Sequence, residues 1–325
     1  MTDVVTLGEA MLRLSPPRYE RLEQAATLQV VVGGSELSVA ANLSRLGAST
    51  RWITALPSSP LGRMVANAAR AQGVDASCIR WTQEGRVGVY YYEEGAAPRP
   101  SQVIYDRKGS ACSLLRPGDV AWDAVLQGAR IFHTCGITPA LSAGCRDLTI
   151  EALQSAKSLG IVTSFDLNYR SRLWSIDEAS RCYREAAPSV DVLFASAPAL
   201  ATFFGYEGSP ETAARRVIDT FGTRVVVLTE RIEAGMRGAT VTSMAVTDRV
   251  YLGRSWDVEI VDRLGAGDAY DAGFLCGFLQ GDMEKAVAYA GAMAALQQTT
   301  PGEFAWVTEH DVQEALAGGA GQVRR

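Results

Sequence analysis

Short runs of apolar and β-branched residues alternate with amphipathic segments along most of the chain. The runs predict strands at residues 4–7, 51–56, 131–135, 162–166, 190–195 and 225–229. The intervening segments repeat apolar residues at helical spacing and predict helices at 36–46, 62–72, 143–159 and 212–221. Gly47, Gly73 and Gly160 follow the first three helices at positions where glycine commonly ends a helix. Because strands and helices alternate, we expect an α/β fold with three layers, in which helices cover both faces of a mainly parallel sheet.

Two segments depart from this alternation and predict a small separate sheet. Residues 13–32 and 88–113 combine polar–apolar alternation with Pro and Gly. We interpret them as antiparallel strands that form a lid over one end of the core. Beyond them no linker or repeat divides the chain, so residues 1–325 are predicted to form one domain. The C-terminal part predicts helices at 269–280, 284–297 and 309–316, and the Gly-rich, charged tail at 318–325 predicts a frayed end.

The composition narrows the possible partners. The net charge of −5 and the lack of a basic cluster argue against binding to nucleic acid or to an anionic membrane surface. No apolar run is long enough to span a bilayer, and the first residues do not have the pattern of a signal peptide. The six cysteines have neither CxxC nor zinc spacing, so we expect them to be buried and reduced, as in a cytoplasmic protein.

The segment with the most chemical information is residues 262–268, Asp-Arg-Leu-Gly-Ala-Gly-Asp, which runs into apolar residues at helical spacing. Its two glycines allow a tight turn and the close approach of a ligand. Amide groups at the start of the following helix favour an anion. Asp268, in the first turn, is placed to take a proton from a hydroxyl that attacks a phosphate. An ordinary helix start with Asp as its cap explains the same residues, and the loop alone does not separate the two interpretations.

Three further segments carry candidate binding residues. Gly33 and Gly34 precede a predicted helix and permit close approach to backbone N–H groups. Arg170 follows a predicted strand, at the edge where parallel sheets bind ligands, and suits a carboxylate or a phosphate. Tyr105 and Arg107 are two residues apart on a lid strand and therefore share a face. Each segment also has a structural alternative, namely a simple turn, a solvated arginine or a packing contact on the lid.

Together these segments resemble the ribokinase-like (PfkB) carbohydrate kinases over nearly the whole chain. The loop at 262–268 is similar to the C-terminal signature of that family, and Gly33-Gly34 is similar to the N-terminal one. Arg263, where the family more generally has Thr, is typical of the 2-keto-3-deoxygluconate kinase branch. Other segments that resemble this branch are residues 8–17, 98–100, 103–107, 136–142, 165–170 and 299–304.

The resemblance implies a ribokinase-like fold and ATP-dependent phosphorylation of the 6-hydroxyl of 2-keto-3-deoxygluconate. It implies ATP and Mg²⁺ as cofactors, with a monovalent cation such as K⁺ as a further candidate, and a homo-oligomer formed through the lid sheet. Asp268 is the implied general base, and Gly265, Ala266 and Gly267 are the implied anion hole. The implied substrate-binding residues are Gly33, Gly34, Tyr90, Tyr105, Arg107, Arg170 and Glu303. The implied nucleotide-binding residues are Asn168, Thr229, Arg231, Gly265 and Gly267, and no side chain is assigned to a metal.

The chain also departs from the pattern of the branch it resembles. Ser38 stands where this branch commonly has Asn, and Glu303 stands where it usually has Asp. Ser196 and Ala199 occupy the place of an Asn-x-x-Glu motif that helps to position magnesium, so they supply no carboxylate. Thr229 is kept, but the glycine pattern that usually follows it is absent.

Three functions therefore stay open on the sequence alone. The first is a 2-keto-3-deoxygluconate kinase, because the set of Tyr105, Arg107 and Arg170, together with Asp268, suits an acidic sugar. The second is a kinase of a neutral sugar such as fructose or ribose, which would leave those arginines without a charge to pair with. The third is a binding or regulatory protein that kept the fold and lost catalysis, for which Ser38, Ser196 and Ala199 argue.

Overall fold

The computed structural model describes residues 2–233, 235 and 237–318. Its strands are β1 (Val4–Leu7), β2 (Met11–Ser15), β3 (Gln29–Gly33), β4 (Thr50–Pro57), β5 (Ile79–Thr82), β6 (Gly88–Glu93), β7 (Gln102–Asp106), β8 (Ile131–Cys135), β9 (Val162–Asp166), β10 (Val192–Ala195), β11 (Val225–Glu233), β12 (Gly238–Val246), β13 (Val250–Leu252) and β14 (Trp256–Glu259). Its helices are α1 (Ser35–Arg45), α2 (Pro60–Ala71), α3 (Trp122–Val125), α4 (Ile137–Ala140), α5 (Ala143–Ser158), α6 (Ile176–Ala186), α7 (Ala197–Phe204), α8 (Pro210–Phe221), α9 (Ala266–Leu279), α10 (Met283–Gln297) and α11 (Glu309–Leu316). Most of the tail that the sequence predicts to be frayed, residues 319–325, lies outside the described residues.

The large sheet has the order β13-β12-β11-β10-β9-β8-β1-β4-β5, and β14 also pairs with β12. The strands from β11 through β5 in this order pair in parallel, whereas β12 pairs antiparallel with β11, β13 and β14. Two large groups of buried apolar side chains pack against this sheet, one including α5 to α8 and the other including α1, α9 and α10. The predicted α/β fold with a mainly parallel sheet between helices is confirmed.

A second sheet of four strands, with the order β3-β2-β6-β7, forms the predicted lid. The pairs β2–β3 and β6–β7 are antiparallel, but β2 and β6 are parallel. The expectation of purely antiparallel lid strands is therefore wrong at one pair. The reason is that the long segment between β2 and β6 returns through the core, so both strands enter the lid in the same direction.

The same edge of the large sheet carries the ends of β1, β8, β9 and β10. Because these strands are parallel, the residues that follow them meet at one place. The lid lies at this edge as well, since β2 follows directly after β1. In this way the topology brings the segments after β1, β8 and β9 together with the start of α9.

The cysteines form no disulfides, and the described helices do not have the form of membrane spans. All six cysteines are unpaired; Cys78 is half-buried, and the other five are buried. Within the residues that the structure describes, every helix is too short or too polar to cross a bilayer.

Candidate active site

The loop at 262–268 turns at Gly265, which has a φ of 81°, and α9 begins at the next residue. This left-handed backbone conformation favours glycine. Asp268 lies half-buried in the first turn of α9, and its Oδ1 accepts a hydrogen bond of 2.6 Å from Ser35 Oγ in the first turn of α1. Burial raises the pKa of the Asp268 carboxyl, while the Ser35 hydroxyl and the charge of Arg170 lower it.

The start of α9 lies between two cavities. Gly265 and Asp268 line a narrow cavity of about 100 Å³ under the lid. Ala266 and Gly267 line a second, mainly apolar cavity of about 770 Å³, which also contacts β11, β12 and the start of α7. A carboxylate therefore faces one cavity while the first residues of the helix, where amide groups favour an anion, face the other.

Most of the predicted substrate-binding residues meet in the narrow cavity under the lid. Its lining includes the predicted residues Gly34, Tyr90, Tyr105, Arg107, Arg170, Gly265, Asp268 and Glu303. Gly33 is not among its lining residues. A Cβ at Gly33 would lie 2.3 Å from Glu303 Cγ, so this glycine is needed for the close packing of Glu303. A wider cavity of about 550 Å³ shares Tyr105, Arg107 and Arg170 with the narrow one.

The two arginines that the sequence predicts to bind the substrate differ in the groups that their side chains contact. Arg107 is buried and forms an ion pair with the buried carboxylate of Glu9. Arg170 is exposed and donates hydrogen bonds to the backbone carbonyls of Asn168 and Tyr169, at 3.4 and 3.2 Å. Among the described residues Arg170 forms no ion pair. Of the two arginines, Arg170 is therefore the one without an acidic side chain in direct ion-pair contact among the described residues.

A buried network that the sequence does not predict holds the lid against the signature loop. Arg13 on β2 donates a hydrogen bond of 2.7 Å to Asp262 and lies 3.3 Å from Glu303 Oε1. Tyr90 on β6 also donates a hydrogen bond to Glu303. Burial raises the pKa of Glu303 to about 7, against the opposing effect of Arg13. The alternation of β2 places Arg13 on the inner face of the lid, which is the one signal of this role in the sequence.

A second carboxylate that the sequence does not single out is Glu36, the second residue of α1. It is 1% exposed and accepts hydrogen bonds from Thr138 Oγ1 at 2.6 Å and from the Cys135 amide at 3.1 Å. Burial raises its pKa to about 7. A Cβ at Gly8 would lie 2.0 Å from Glu36 Oε2, so Gly8 makes room for this carboxyl group at the end of β1.

The predicted nucleotide-binding residues do not all lie together. Thr229 on β11 lines the larger cavity together with Gly267. Arg231 pairs with Val241 in the sheet, and its side chain lies outside what the structure describes. Asn168 lies on the other side, where its amide group donates to Ser35 Oγ at 3.0 Å and contacts Cys135 Sγ at 3.6 Å. Gly265 lines the narrow cavity under the lid.

The departures from the family pattern also have defined places. Ser196 caps α7, where its Oγ accepts a hydrogen bond of 3.3 Å from the Ala199 amide, and it lines the larger cavity. Neither residue brings a carboxylate there, and Glu230 is the acidic residue of that lining. Ser38 is fully buried in α1 and lines neither cavity. Among the described residues, no group of three or more His, Cys, Asp or Glu side chains is arranged to hold a metal ion.

A helix start between two cavities is an arrangement in which two small ligands could meet. The family model described as pfkB family carbohydrate kinase matches residues 1–305. The chain belongs to this family and is a carbohydrate kinase.

Three known proteins are similar over almost the whole chain. A 2-dehydro-3-deoxygalactonokinase of Haloferax volcanii is 40% identical over 326 residues, which cover 99% of both chains. A 2-dehydro-3-deoxygluconokinase of Bacillus subtilis is 31% identical, with 93% of this chain and 91% of that protein covered. The crystal structure of a 2-dehydro-3-deoxygluconokinase from Thermotoga maritima has a TM-score of 0.94 and 34% identity, with 98% of each chain covered.

Proposed function

We propose that the protein transfers the terminal phosphoryl group of ATP to the 6-hydroxyl of a 2-keto-3-deoxy sugar acid, with 2-keto-3-deoxygluconate as the first candidate. The observation that carries this proposal is the position of the start of α9. Asp268 faces the narrow cavity together with Arg170, and Ala266 and Gly267 face the larger one. A sugar acid in the first cavity and ATP in the second would meet at this helix start.

The chemistry follows from this arrangement. Asp268 takes the proton of the 6-hydroxyl as the oxygen attacks the terminal phosphorus, and the bond to ADP breaks. Amide groups of the segment from Gly265 to Gly267 stabilise the charge on the transferred phosphoryl group, and each such donor is worth on the order of 10² to 10³ in rate. General-base assistance adds roughly 10² to 10⁴. Ser35 orients the Asp268 carboxylate for this step through its 2.6 Å hydrogen bond.

The larger cavity fits a nucleotide, and the acidic groups near it are few. Its apolar lining suits an adenine base, and the open space beside Gly267 lets a phosphate approach the backbone. Because Ser196 and Ala199 offer no carboxylate, we propose that Mg²⁺ is held mainly by the phosphates of ATP and by water. The magnesium would neutralise charge on the phosphates during transfer. K⁺ as a further activator stays a prediction, to be decided by comparing rates in K⁺ and Na⁺ salts.

The substrate is tested by coupled ATP turnover on a panel of acceptors. The panel contains 2-keto-3-deoxygluconate, its epimer 2-keto-3-deoxygalactonate, fructose and ribose. The galactonate epimer is the second candidate, because the relative that is 40% identical over the full length bears that activity in its name. Turnover of either sugar acid that is lost in Asp268→Asn supports the proposal. Wild-type turnover no faster than that of Asp268→Asn contradicts it.

Substitution of Arg170 distinguishes an acidic from a neutral sugar as the substrate. A hydrogen bond to a charged group contributes about 1.5–3 kcal/mol, so we expect Arg170→Ala to raise KM for the sugar acid about 10- to 100-fold. The same change is expected to alter KM for a neutral sugar less than about 3-fold. Arg63→Ala, at an exposed position of α2, is the matched control. Equal effects of Arg170→Ala on acidic and neutral acceptors would favour a neutral sugar as the substrate.

Calorimetry distinguishes the kinase from a binding protein of the same fold. Heat of binding with a sugar acid, combined with no turnover at any magnesium concentration, would favour the binding or regulatory function. The absence of carboxylates at Ser196 and Ala199 is the feature that makes this control necessary.

We also propose that two copies associate through the outer face of the lid. Val30, Leu14, Tyr91 and Ile104 face each other across the four strands and form an apolar row. Val30 and Ile104 are 48% and 40% exposed at its two ends. Light scattering tests the proposal: the wild type is expected to be a dimer that Val30→Lys with Ile104→Lys converts to a monomer. A wild-type monomer at micromolar concentration would contradict it.

A further inference from the structure

A second buried carboxyl group, Asp271, lies one helical turn after Asp268 on α9. Residues three apart on a helix share a face, so both groups point towards the ends of β8 and β9. Asp271 is 2% exposed, and its carboxyl group lies beside that of Asp166, the last residue of β9. Its Oδ2 lies 3.9 Å from His133 Nε2 on β8.

Two carboxyl groups buried side by side favour a state in which one of them keeps its proton, because two adjacent anions repel each other. Asp271 is the better holder of the proton. Its Oδ2 receives no hydrogen bond from any N–H or O–H group in the described part of the chain. Burial and the charge of Asp268 raise the pKa of Asp166 to about 7, but Asp166 also accepts a hydrogen bond of 3.1 Å from the Asn168 backbone N–H, and this bond and the charge of Arg170 favour its anion.

The charges around the pair favour the same distribution of the proton. Burial and the nearby carboxylates of Asp166 and Asp268 raise the pKa of Asp271 well above its usual range. Burial lowers the pKa of His133 to about 3, so this ring is neutral and supplies no positive charge. The other titratable groups near the pair are Glu36 on α1, Cys135 at the end of β8, Tyr183 on α6 and Tyr270 on α9.

A continuous chain of hydrogen bonds joins this pair to Asp268. Asp166 accepts the Asn168 amide, and Asn168 has a φ of 34°, in the left-handed region where a non-glycine residue needs such support. The Asn168 side chain then donates to Ser35 Oγ at 3.0 Å, and Ser35 donates to Asp268 at 2.6 Å. The orientation of Asp268 thus depends on Ser35 of α1 and on Asn168 and Asp166 at the end of β9.

We propose that Asp271 is a positioning residue that acts as a neutral carboxylic acid: it donates a hydrogen bond to Asp166 and thereby holds Asn168 and Ser35 in place against Asp268. This inference rests on the proposed function, in which Asp268 is the base. Because the donor is neutral, an amide can replace it, whereas an apolar side chain of similar size cannot.

The experiment compares Asp271→Asn with Asp271→Val in the full-length protein. For each variant, kcat/KM for the sugar acid and ATP is measured across pH, and thermal unfolding is followed in parallel. Asp271→Asn is expected to keep kcat within about 3-fold of the wild type and to leave the acid limb of the pH profile in place. Asp271→Val is expected to lower kcat about 10-fold or more. It is also expected to move the acid limb about 1 unit to higher pH: without its donor Asp166 is protonated at higher pH, and a protonated Asp166 holds the Asn168 backbone N–H, and through it Ser35 and Asp268, less firmly.

Two controls make the result specific. Asp219→Asn, the same chemical change at an exposed position of α8, is expected to leave the profile unchanged. Infrared spectra of the wild type at about pH 8 are expected to contain the C=O band of a protonated carboxylic acid, which Asp271→Asn removes. This band decides the question even where Asp271→Val does not fold.

The outcomes distinguish the two proposals. The inference is overturned if the two Asp271 variants behave alike, or if the wild type lacks the carboxylic acid band. A purely structural role of Asp271 would lower the unfolding temperature without moving the acid limb. If Asp268→Asn is inactive while both Asp271 variants behave alike, the proposed base stands and only the positioning role fails. If Asp268→Asn keeps wild-type turnover, the base assignment fails and this inference fails with it.

Discussion

Two glycines of the signature loop are required for different reasons, and alanine substitution separates them. Gly265 has a φ of 81°, and a Cβ there would lie 2.4 Å from the Glu303 carbonyl oxygen. Gly267 has an ordinary helical backbone in the first turn of α9, and a Cβ there would meet no other described atom within 4 Å. Gly265 is thus required by the fold of the loop, whereas Gly267 leaves open the space beside the larger cavity.

The magnitudes follow from these environments. Gly267→Ala removes backbone freedom from the unfolded chain without a clash, so the free energy of unfolding is expected to rise by about 0.5–1 kcal/mol or to stay unchanged. Its methyl group occupies the space through which a phosphate would approach the amides. We therefore expect kcat/KM for ATP to fall by about 10² to 10³, the cost of losing one donor to the transition state. Gly265→Ala adds about 1–2 kcal/mol of left-handed backbone strain to a clash with backbone atoms.

The assay combines urea unfolding with steady-state kinetics. Gly265→Ala is expected to lose about 3 kcal/mol or more of stability, with activity falling because the loop moves. Gly281→Ala is the matched control, because Gly281 has a φ of 75° and open space around a Cβ, so it reports left-handed strain alone. KM for the sugar acid is expected to change little in Gly267→Ala, since Gly267 does not line the cavity under the lid.

Two results would refute this reasoning. Wild-type kcat/KM for ATP in Gly267→Ala would mean that no phosphate approaches the backbone at this point. A loss of stability above about 1 kcal/mol in the same variant would mean that the space beside Gly267 is not open to a methyl group.

Two further predictions concern buried charges. Arg13→Met is expected to lower the free energy of unfolding by about 3–5 kcal/mol, because the Asp262 carboxylate is left buried without its partner. The double variant Arg13→Met with Asp262→Leu is expected to lose less stability than the single variant. An equal loss of stability in both variants would contradict the pairing. Glu36 has a pKa raised from 4.5 to about 7, so the stability contributed by its protonated form is full below about pH 4.5 and is lost as pH rises through about 7. The free energy of unfolding in urea, measured at several pH values, should therefore shift in favour of Glu36→Gln by about 2–3 kcal/mol between pH 5 and 8, and a difference independent of pH would exclude ionisation of this group.

The core strands were predictable because their signal is local. The predictions at 4–7, 131–135 and 162–166 coincide with β1, β8 and β9. The prediction at 225–229 was too short, since β11 continues to Glu233 by pairing with β12 in an antiparallel hairpin. The segment 238–259 was not predicted as strands, because β12 alternates buried and half-buried positions and is stabilised by its partners more than by its own apolar content.

The candidate site was predictable where the residues mark a backbone feature. A glycine before a predicted helix or a residue after a predicted parallel strand has a place in the fold that the sequence alone indicates. Asp268, Gly34 and Arg170 are such residues, and they line one cavity. The groups that orient them were not predictable. Arg13 and Asp262 are 249 residues apart in the chain, so their pairing exists only once the lid has closed on the core.

The balance of charge in the narrow cavity is compatible with the acidic substrate that we propose. Carboxyl groups outnumber arginines around it, which by itself would repel a sugar acid. Glu9 is neutralised by its ion pair with Arg107, and burial raises the pKa values of Glu36 and Glu303 to about 7, so that both are largely protonated below neutral pH. Arg107 is consequently engaged within the protein, so the carboxylate of the proposed substrate would be attracted by Arg170 at the mouth of the cavity. Binding of the acid end at Arg170 would direct the far hydroxyl of the sugar towards Asp268, which is the orientation that phosphorylation at the 6-position requires.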